Sequence, residues 1–245
     1  MLELSGTRAI VTGGSSGIGR ALCIRLGNLG CNVTNISKFP TDKEGGPNVD
    51  EFLNIKTLCL DVRDLENLKS AVKQIRPNVL INNAGVLTLD DFLEQNIDDY
   101  QYVMGINLMA PIFAVQALLE VSAGLPWVSI INIASTSGLK ADPDTPIYGA
   151  SKAGLINFTE SIAAQYGPKV RCNCICPGFI DTQLVSVEEG AGIPQAEIDK
   201  VPMKRIGTPD EVVGIVIPVI TNEYINGASI VIDGGRSHGV WKWGI

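Results

Sequence analysis

The segment Thr12-Gly13-Gly14-Ser15-Ser16-Gly17-Ile18-Gly19 joins a short apolar strand, Thr7–Thr12, to a helical pattern over Gly17–Leu29. A strand feeding a helix through a glycine turn belongs to folds in which the two element types alternate, and the rest of the chain keeps to that rule. Cys31–Ser37, Lys56–Leu60, Asn78–Asn83, Trp127–Ala134, Lys169–Ile175 and Ala228–Ile232 read as strands. Leu65–Ile75, Asp98 to about Val121, about Pro146–Tyr166 and Asp210–Ile220 read as helices, and Phe39–Asn54 as a loop with room for one helical turn. The alternation predicts an α/β protein, a doubly wound parallel sheet with helices on both faces. No repeat, low-complexity tract or composition break marks a boundary, so residues 1–245 are expected to form a single domain. A mobile substrate loop is expected over about 181–205, around Ser186–Pro194. Pro218 should kink the last helix or end it early.

At 245 residues the chain can bury a sizeable core. Its net charge of −7 argues against nucleic acid or an anionic membrane as the main partner, since both favour clustered Lys and Arg. No apolar run approaches the roughly 20 residues that span a bilayer, so no membrane segment is expected. The N-terminus runs straight into a strand pattern without a basic region or cleavage site, and a cytoplasmic location is expected. Cys172, Cys174 and Cys176 alternate, which puts them on one face of a strand. That spacing is not the Cys-x-x-Cys of structural zinc, and the only histidine, His238, is distant in sequence. Buried free thiols and no metal are expected, and with Cys23, Cys31 and Cys59 in helix and strand patterns a reducing compartment fits best.

Gly13, Gly17 and Gly19 allow a tight turn and a close backbone approach to a pyrophosphate, which the helix N-terminus would hold with free N–H groups. The spacing is Gly-x-x-x-Gly-x-Gly, and the lysine of a nucleotide-hydrolysing loop is missing. The plainer alternative is a turn that serves only helix–sheet packing. Further along, Tyr148 has Lys152 one helical turn later, and Ser135 precedes it by thirteen residues. A phenol with a pKa near 10 is a poor base at neutral pH, and an ammonium on the same helix face should depress that value. Tyr148 would then act as general acid in reduction and general base in oxidation, with Ser135 orienting the substrate oxygen. Acidic pairs such as Asp98–Asp99 and Glu188–Glu189 read as solvated surface, and Thr136 and Ser137 as packing or capping hydroxyls.

Taken together, Thr12–Gly19, Asn82-Asn83-Ala84-Gly85, Asn107, Ser135, Tyr148-Gly-Ala-Ser-Lys152, Pro177-Gly178 and Asp233-Gly-Gly235 resemble the short-chain dehydrogenase/reductase family over essentially the whole chain. The short span from Asp61 to Asn82 is similar to its compact carbonyl and sugar-ketone reductases. The resemblance implies a Rossmann-type domain with seven strands in the order 3-2-1-4-5-6-7, and a homotetramer or homodimer. It implies that Lys152 also binds the nicotinamide ribose and that Asn107 holds a water passing protons from Lys152 to solvent. It places Ser15, Ser16 and Ile18 with the glycines on the dinucleotide, Asn82, Asn83, Ala84 and Gly85 at the adenosine ribose and sheet centre, and Asp61 with Val62 at the adenine. Pro177, Gly178, Ile180 and Thr182 match the stretch around the nicotinamide carboxamide.

Two questions stay open at this level. An acidic residue at the end of strand two would bind the ribose 2′-OH of NAD; here Ser37 and Lys38 stand there, so NADP(H) is expected, with NAD(H) as the alternative. The expected activity is hydride transfer between the cofactor and a ketone or secondary alcohol, in a pocket flanked by Leu87, Leu139, Ile147, Phe179, Leu184, Val185 and Ile193. The alternatives are a 3-oxoacyl-thioester reductase acting on acyl carrier protein, and a catalytically silent nucleotide-binding scaffold. A panel of ketones assayed with NADPH separates the three.

Overall fold

The computed structural model describes residues 1–39, 48–182 and 193–238. Its elements follow the alternation: β1 (Arg8–Thr12), α1 (Gly17–Asn28), β2 (Asn32–Ser37), β3 (Ile55–Cys59), α2 (Leu65–Ile75), β4 (Val79–Asn82), α3 (Ile97–Met104), α4 (Ala110–Val121), β5 (Val128–Ile133), α5 (Pro146–Tyr166), β6 (Val170–Pro177), α6 (Gln195–Ile198), α7 (Pro209–Thr221) and β7 (Ser229–Ile232). The strands form one parallel sheet in the order β3-β2-β1-β4-β5-β6-β7. Chain direction across the sheet reverses between β1 and β4, the switch point where such folds open a crevice at the strand C-termini.

Adjacent residues in the inner strands serve opposite faces. Val11, Ile81 and Ile131 pack under Leu22 and Leu26 of α1 and Val212 and Val216 of α7. Ile10, Leu80 and Ile130 pack under Leu68 and Val72 of α2, Leu118 of α4 and Ile162 of α5. This two-sided cover explains why β5 and β6 are buried at every position instead of alternating. Cys172, Cys174 and Cys176 are buried on β6 and free; Cys59, on edge strand β3, is exposed. The sheet interior also holds polar groups, most of them paired, though the Ser129 hydroxyl of β5 has no partner among the described residues. Asn82 donates to Asn132 (2.8 Å), which donates to Thr159 (2.8 Å).

The long helix expected from Asp98 to about Val121 is present, while the end of the last helix and the Asp98–Asp99 pair depart from expectation. The helix from Ile97 to Gly124 is continuous and, by length and composition, apolar enough to cross a membrane, with mean hydropathy 1.7. Half of its apolar window is buried by the protein itself, among α2, α5 and the sheet. Within it, Gly105–Met109 forms a π-helical turn, a feature that concentrates at functional sites. Pro218 does not end α7, which runs on to Thr221. The carbonyls at its end are met by buried Arg171 of β6, whose guanidinium donates to Val219, Ile220 and Ile225. Asp98 and Asp99 are not merely solvated: Asn96 and Asp99 form a capping box at the start of α3. The expected substrate loop lies partly outside the described residues, which resume at 193 just before the short helix α6; the apolar tail Trp241–Ile245 lies wholly outside them.

Candidate active site

A cavity of about 720 Å³ follows the C-terminal edge of the sheet. At one end it meets the glycine turn, where Gly13 and Gly17 have φ of +68° and +51°. A Cβ at Gly13 would stand 2.9 Å from Ala84 Cα, and one at Gly17 would stand 3.0 Å from the Thr182 methyl. Ser16, the N-cap of α1, makes no side-chain cap, and the first turn carries no acid. Uncapped N–H groups, a bare backbone and a positive helix end together fit a dinucleotide pyrophosphate. Gly19 stands behind the turn instead of on the cavity wall: a Cβ there would meet the Gly13 carbonyl oxygen at 2.2 Å. The floor comes from β4. Thr12 Oγ1 accepts from the Asn83 and Ala84 amides (3.0 and 3.1 Å), and Asn83 Nδ2 donates back to the Thr12 and Gly13 carbonyls. Asn82, its neighbour, points into the sheet toward Asn132 and does not reach the cavity.

Sequence reasoning missed Asn35, fully buried beneath the turn. Its carbonyl oxygen accepts from the Gly14 amide (2.8 Å) and the Ser37 hydroxyl (2.7 Å), and its amide donates to Ser15 and Thr57. An asparagine in the middle of a buried strand, between Val33 and Ile36, was the available signal. At this end the wall also carries Lys38, Asp61, Val62 and Arg63. The Arg63 fork grips Asp61 (3.1 and 2.7 Å), with Lys38 at 3.8 Å. The Arg63 hydrogen bonds hold the Asp61 carboxyl down at about 2. Ser37 reaches the wall but is itself nearly buried, its hydroxyl committed to Asn35, so the exposed cations here are Lys38 and Arg63.

The catalytic candidates lie at the cavity's middle. Ser135 follows β5 and caps the next turn through the Ser137 amide (3.1 Å). Tyr148 and Lys152 share a face of α5, with the lysine nitrogen 5.6 Å from the tyrosine ring centre. Lys152 is buried, donates to the Ile133 carbonyl (2.8 Å), and is pushed down to about 8 by loss of solvent. Burial pushes the Tyr148 phenol up, a hydrogen bond with Ser135 opposes this, and the Asp142 charge adds to it. The depression expected from Lys152 is therefore not what sets the tyrosine here: loss of solvent around the phenol is the largest effect. Asn107 sits in the π-helical turn, off the wall, and secures Val86 by both its amide (2.8 Å to the carbonyl) and its oxygen (2.9 Å from the N–H). It also donates to Ser151, one residue before Lys152.

Pro177, Gly178, Ile180 and Thr182 line the cavity beyond β6, as do Ser15, Ser16, Ile18, Ala84 and Gly85. Of the expected pocket residues, Leu87, Phe179 and Ile193 are on the wall, Leu139 and Ile147 are not, and Leu184 and Val185 lie outside the described residues. The wall is also more polar than expected. Ser137, Asp142, Asp144, Glu197 and Arg236 join it from separate loops, which no local spacing announced. Among the described residues no group of three or more His, Cys, Asp or Glu is placed to hold a metal.

Comparison with known proteins agrees with this geometry. The family model for short chain dehydrogenases matches residues 7–190. Nodulation protein G of Azospirillum brasilense is 34% identical over 94% of this chain and 98% of its own. The 3-oxoacyl-[acyl-carrier-protein] reductase of Aquifex aeolicus is 30% identical over 96% and 98%. Two solved structures, each 26% identical over 96% of this chain, superpose along their length. One, from Agrobacterium tumefaciens with bound NADP, has a TM-score of 0.84 over 99% of that chain. The other, a 4-hydroxyisoleucine dehydrogenase complexed with NADH, has a TM-score of 0.82 over 100% of it.

Proposed function

Because the chain belongs to the short-chain dehydrogenase/reductase family, an oxidoreductase family that uses nicotinamide cofactors, we propose that Tyr148 exchanges the proton while a hydride passes between the cofactor and a ketone or secondary alcohol. The observation that carries this reading is the single cavity joining the glycine turn to Ser135, Tyr148 and Lys152. When bound, the cofactor supplies or takes the hydride. Gly13, Ser15, Ser16, Gly17 and Ile18 would hold its pyrophosphate, with Gly19 keeping the turn close to the sheet. Asp61, Val62, Asn83, Ala84 and Gly85 would hold the adenosine half. Pro177, Gly178, Ile180 and Thr182 would hold the nicotinamide, and Lys152 its ribose.

Ser135 donates to the substrate oxygen and Tyr148 delivers a proton to it in reduction or removes one in oxidation. A phenol kept protonated by burial suits the reductive direction. Lys152, with a pKa near neutrality, can refill Tyr148 once the substrate has left with its proton. Asn107 positions the Val86 segment and, through Ser151, the turn that carries Lys152.

The cofactor is read as NADP(H), with NAD(H) the alternative. Support comes from the absence of a carboxylate at Ser37, from Lys38, and from Arg63, which neutralises Asp61 beside it. Thioester reduction on acyl carrier protein is the second reading, favoured by the likeness to the Aquifex enzyme. A homotetramer and a cytoplasmic location complete the proposal. The apolar helix Ile97–Gly124, half covered by its own subunit, supports the first, and free cysteines support the second.

One experiment tests the chemistry: turnover of a ketone panel by wild type and Tyr148→Phe, with NADPH and with NADH. Wild type should work better with NADPH, and the variant should lose about 100-fold or more in kcat while still binding cofactor. Retention of most activity by Tyr148→Phe removes the tyrosine from its role, and a higher kcat/KM with NADH reverses the reading of Lys38 and Arg63.

A further inference from the structure

Apart from the catalytic Lys152, Arg236 is the cation on the cavity wall, among the described residues, that lies at the β5–β7 side. The sheet order puts it there. Lys38 and Arg63 follow β2 and β3, whereas Ser135 follows β5, Phe179 follows β6, and Arg236 comes after β7. Arg236 is thus at the end of the cavity opposite the adenosine, on the far side of the catalytic serine. Its guanidinium carbon sits over the Phe179 ring, 4.0 Å from the ring centre. A guanidinium held against an aromatic ring keeps its planar fork of N–H donors, which can recognise a carboxylate with two parallel bonds.

Two of the acids on this wall are engaged elsewhere. Glu197 pairs with Lys200. Asp142 accepts from the Ser137 hydroxyl (3.0 Å) and the Asp144 amide (3.3 Å) on its own loop. Arg236 has no ion pair among the described residues. We propose that Arg236 is a specificity-determining residue that anchors a carboxylate on the substrate, so that the preferred substrates are oxo acids and the hydroxy acids they are reduced to, not esters or thioesters. The proposal rests on the hydride-transfer reading and names the substrate class of that same site. It also separates that reading from the acyl-carrier alternative, whose reacting chain carries no free carboxylate.

The test compares 3-oxobutanoate and 4-oxopentanoate with their methyl esters, in wild type, Arg236→Gln and Arg236→Lys. In parallel, the acids are titrated by calorimetry into the enzyme with NADP⁺, where no turnover occurs. Wild type should favour an acid over its ester by about ten- to a hundredfold in kcat/KM, the range of one charged hydrogen-bonded pair. Arg236→Gln should erase that preference through KM for the acid, leave ester turnover and KM for NADPH unchanged, and abolish acid binding in the calorimeter. Arg236→Lys, a charge without a fork, should fall between. Equal or better use of the esters by wild type overturns the proposal. So does an equal loss on acid and ester, or a raised KM for NADPH, which would assign Arg236 to the cofactor. If neither acid nor ester is reduced yet acid binding depends on Arg236, the anchor stands and the hydride-transfer reading falls. Esters reduced without any acid binding sinks the anchor alone.

Discussion

Lys152 is held in a place that costs stability. Its amine is buried, its one protein acceptor is the Ile133 carbonyl, and loss of solvent lowers its pKa from an ordinary 10.5 to about 8. Between those values the unfolded chain binds a proton that the folded chain has shed, so stability rises as pH increases through that window. Below about pH 8 both states are charged and the full penalty applies, on the order of 3 kcal/mol for a shift of this size. Lys152→Met should therefore be inactive yet more stable, with a Tm raised by about 5 °C at pH 7, allowing for the lost hydrogen bond, and by much less at pH 10. Thermal melts at the two pH values check this. A lower Tm, or a gain that ignores pH, would mean the amine is not strained by burial. At this scale the sequence was informative where chemistry depends on local spacing: Tyr148 and Lys152 share a helix face whatever the rest of the chain does. It was silent on Arg63, Asp142 and Arg236, which reach the cavity only because separate loops converge at the sheet edge. Asn35 was legible only as an oddity in β2, since nothing local says that Gly14 and Thr57 come to rest beside it.

The strands and long helices were readable because burial on both sheet faces makes β5 and β6 mostly apolar runs, broken only by Ser129, Asn132, Arg171 and Asn173, while α5 keeps a helical period from Pro146 to Tyr166. The short turns were not, nor was the π-helical turn at Gly105–Met109, because one wider turn leaves no imprint on apolar spacing. The end of α7 is the instructive case. Pro218 withholds an N–H inside the helix, and the sequence alone argues for a break there. What keeps the last turn is a side chain from another element: Arg171 supplies the carbonyls of Val219, Ile220 and Ile225 with donors. Arg171→Leu would fit the space but leave the Val219 and Ile220 carbonyls without partners, Ile225 keeping only Asn173, and should destabilise by about 3–5 kcal/mol, read from urea midpoints. Arg171→Lys should recover part of the loss. A leucine variant as stable as wild type would show that water takes over these carbonyls.

At the scale of the molecule, all seven strands point the same way, so every loop that builds the cavity leaves the same edge, from Gly13 near the start to Arg236 near the end. The apolar helix Ile97–Gly124 is only half covered by this edge and its sheet, and in the proposed tetramer the remaining face meets other subunits. Light scattering should then give about four times the 26.1 kDa chain mass; a monomer in dilute buffer would leave that face without its partner and end the proposal. The placement of β1 between β2 and β4 has a consequence for how the protein is made. Thr12 and Gly13 are braced by Asn83 and Ala84, 70 to 72 positions later in the chain. As the polypeptide leaves the ribosome, the glycine turn emerges first but has no floor until β4 follows it out. A nascent chain cannot close its dinucleotide site before that moment, and ligand-assisted folding in the cell begins only after β4 has emerged.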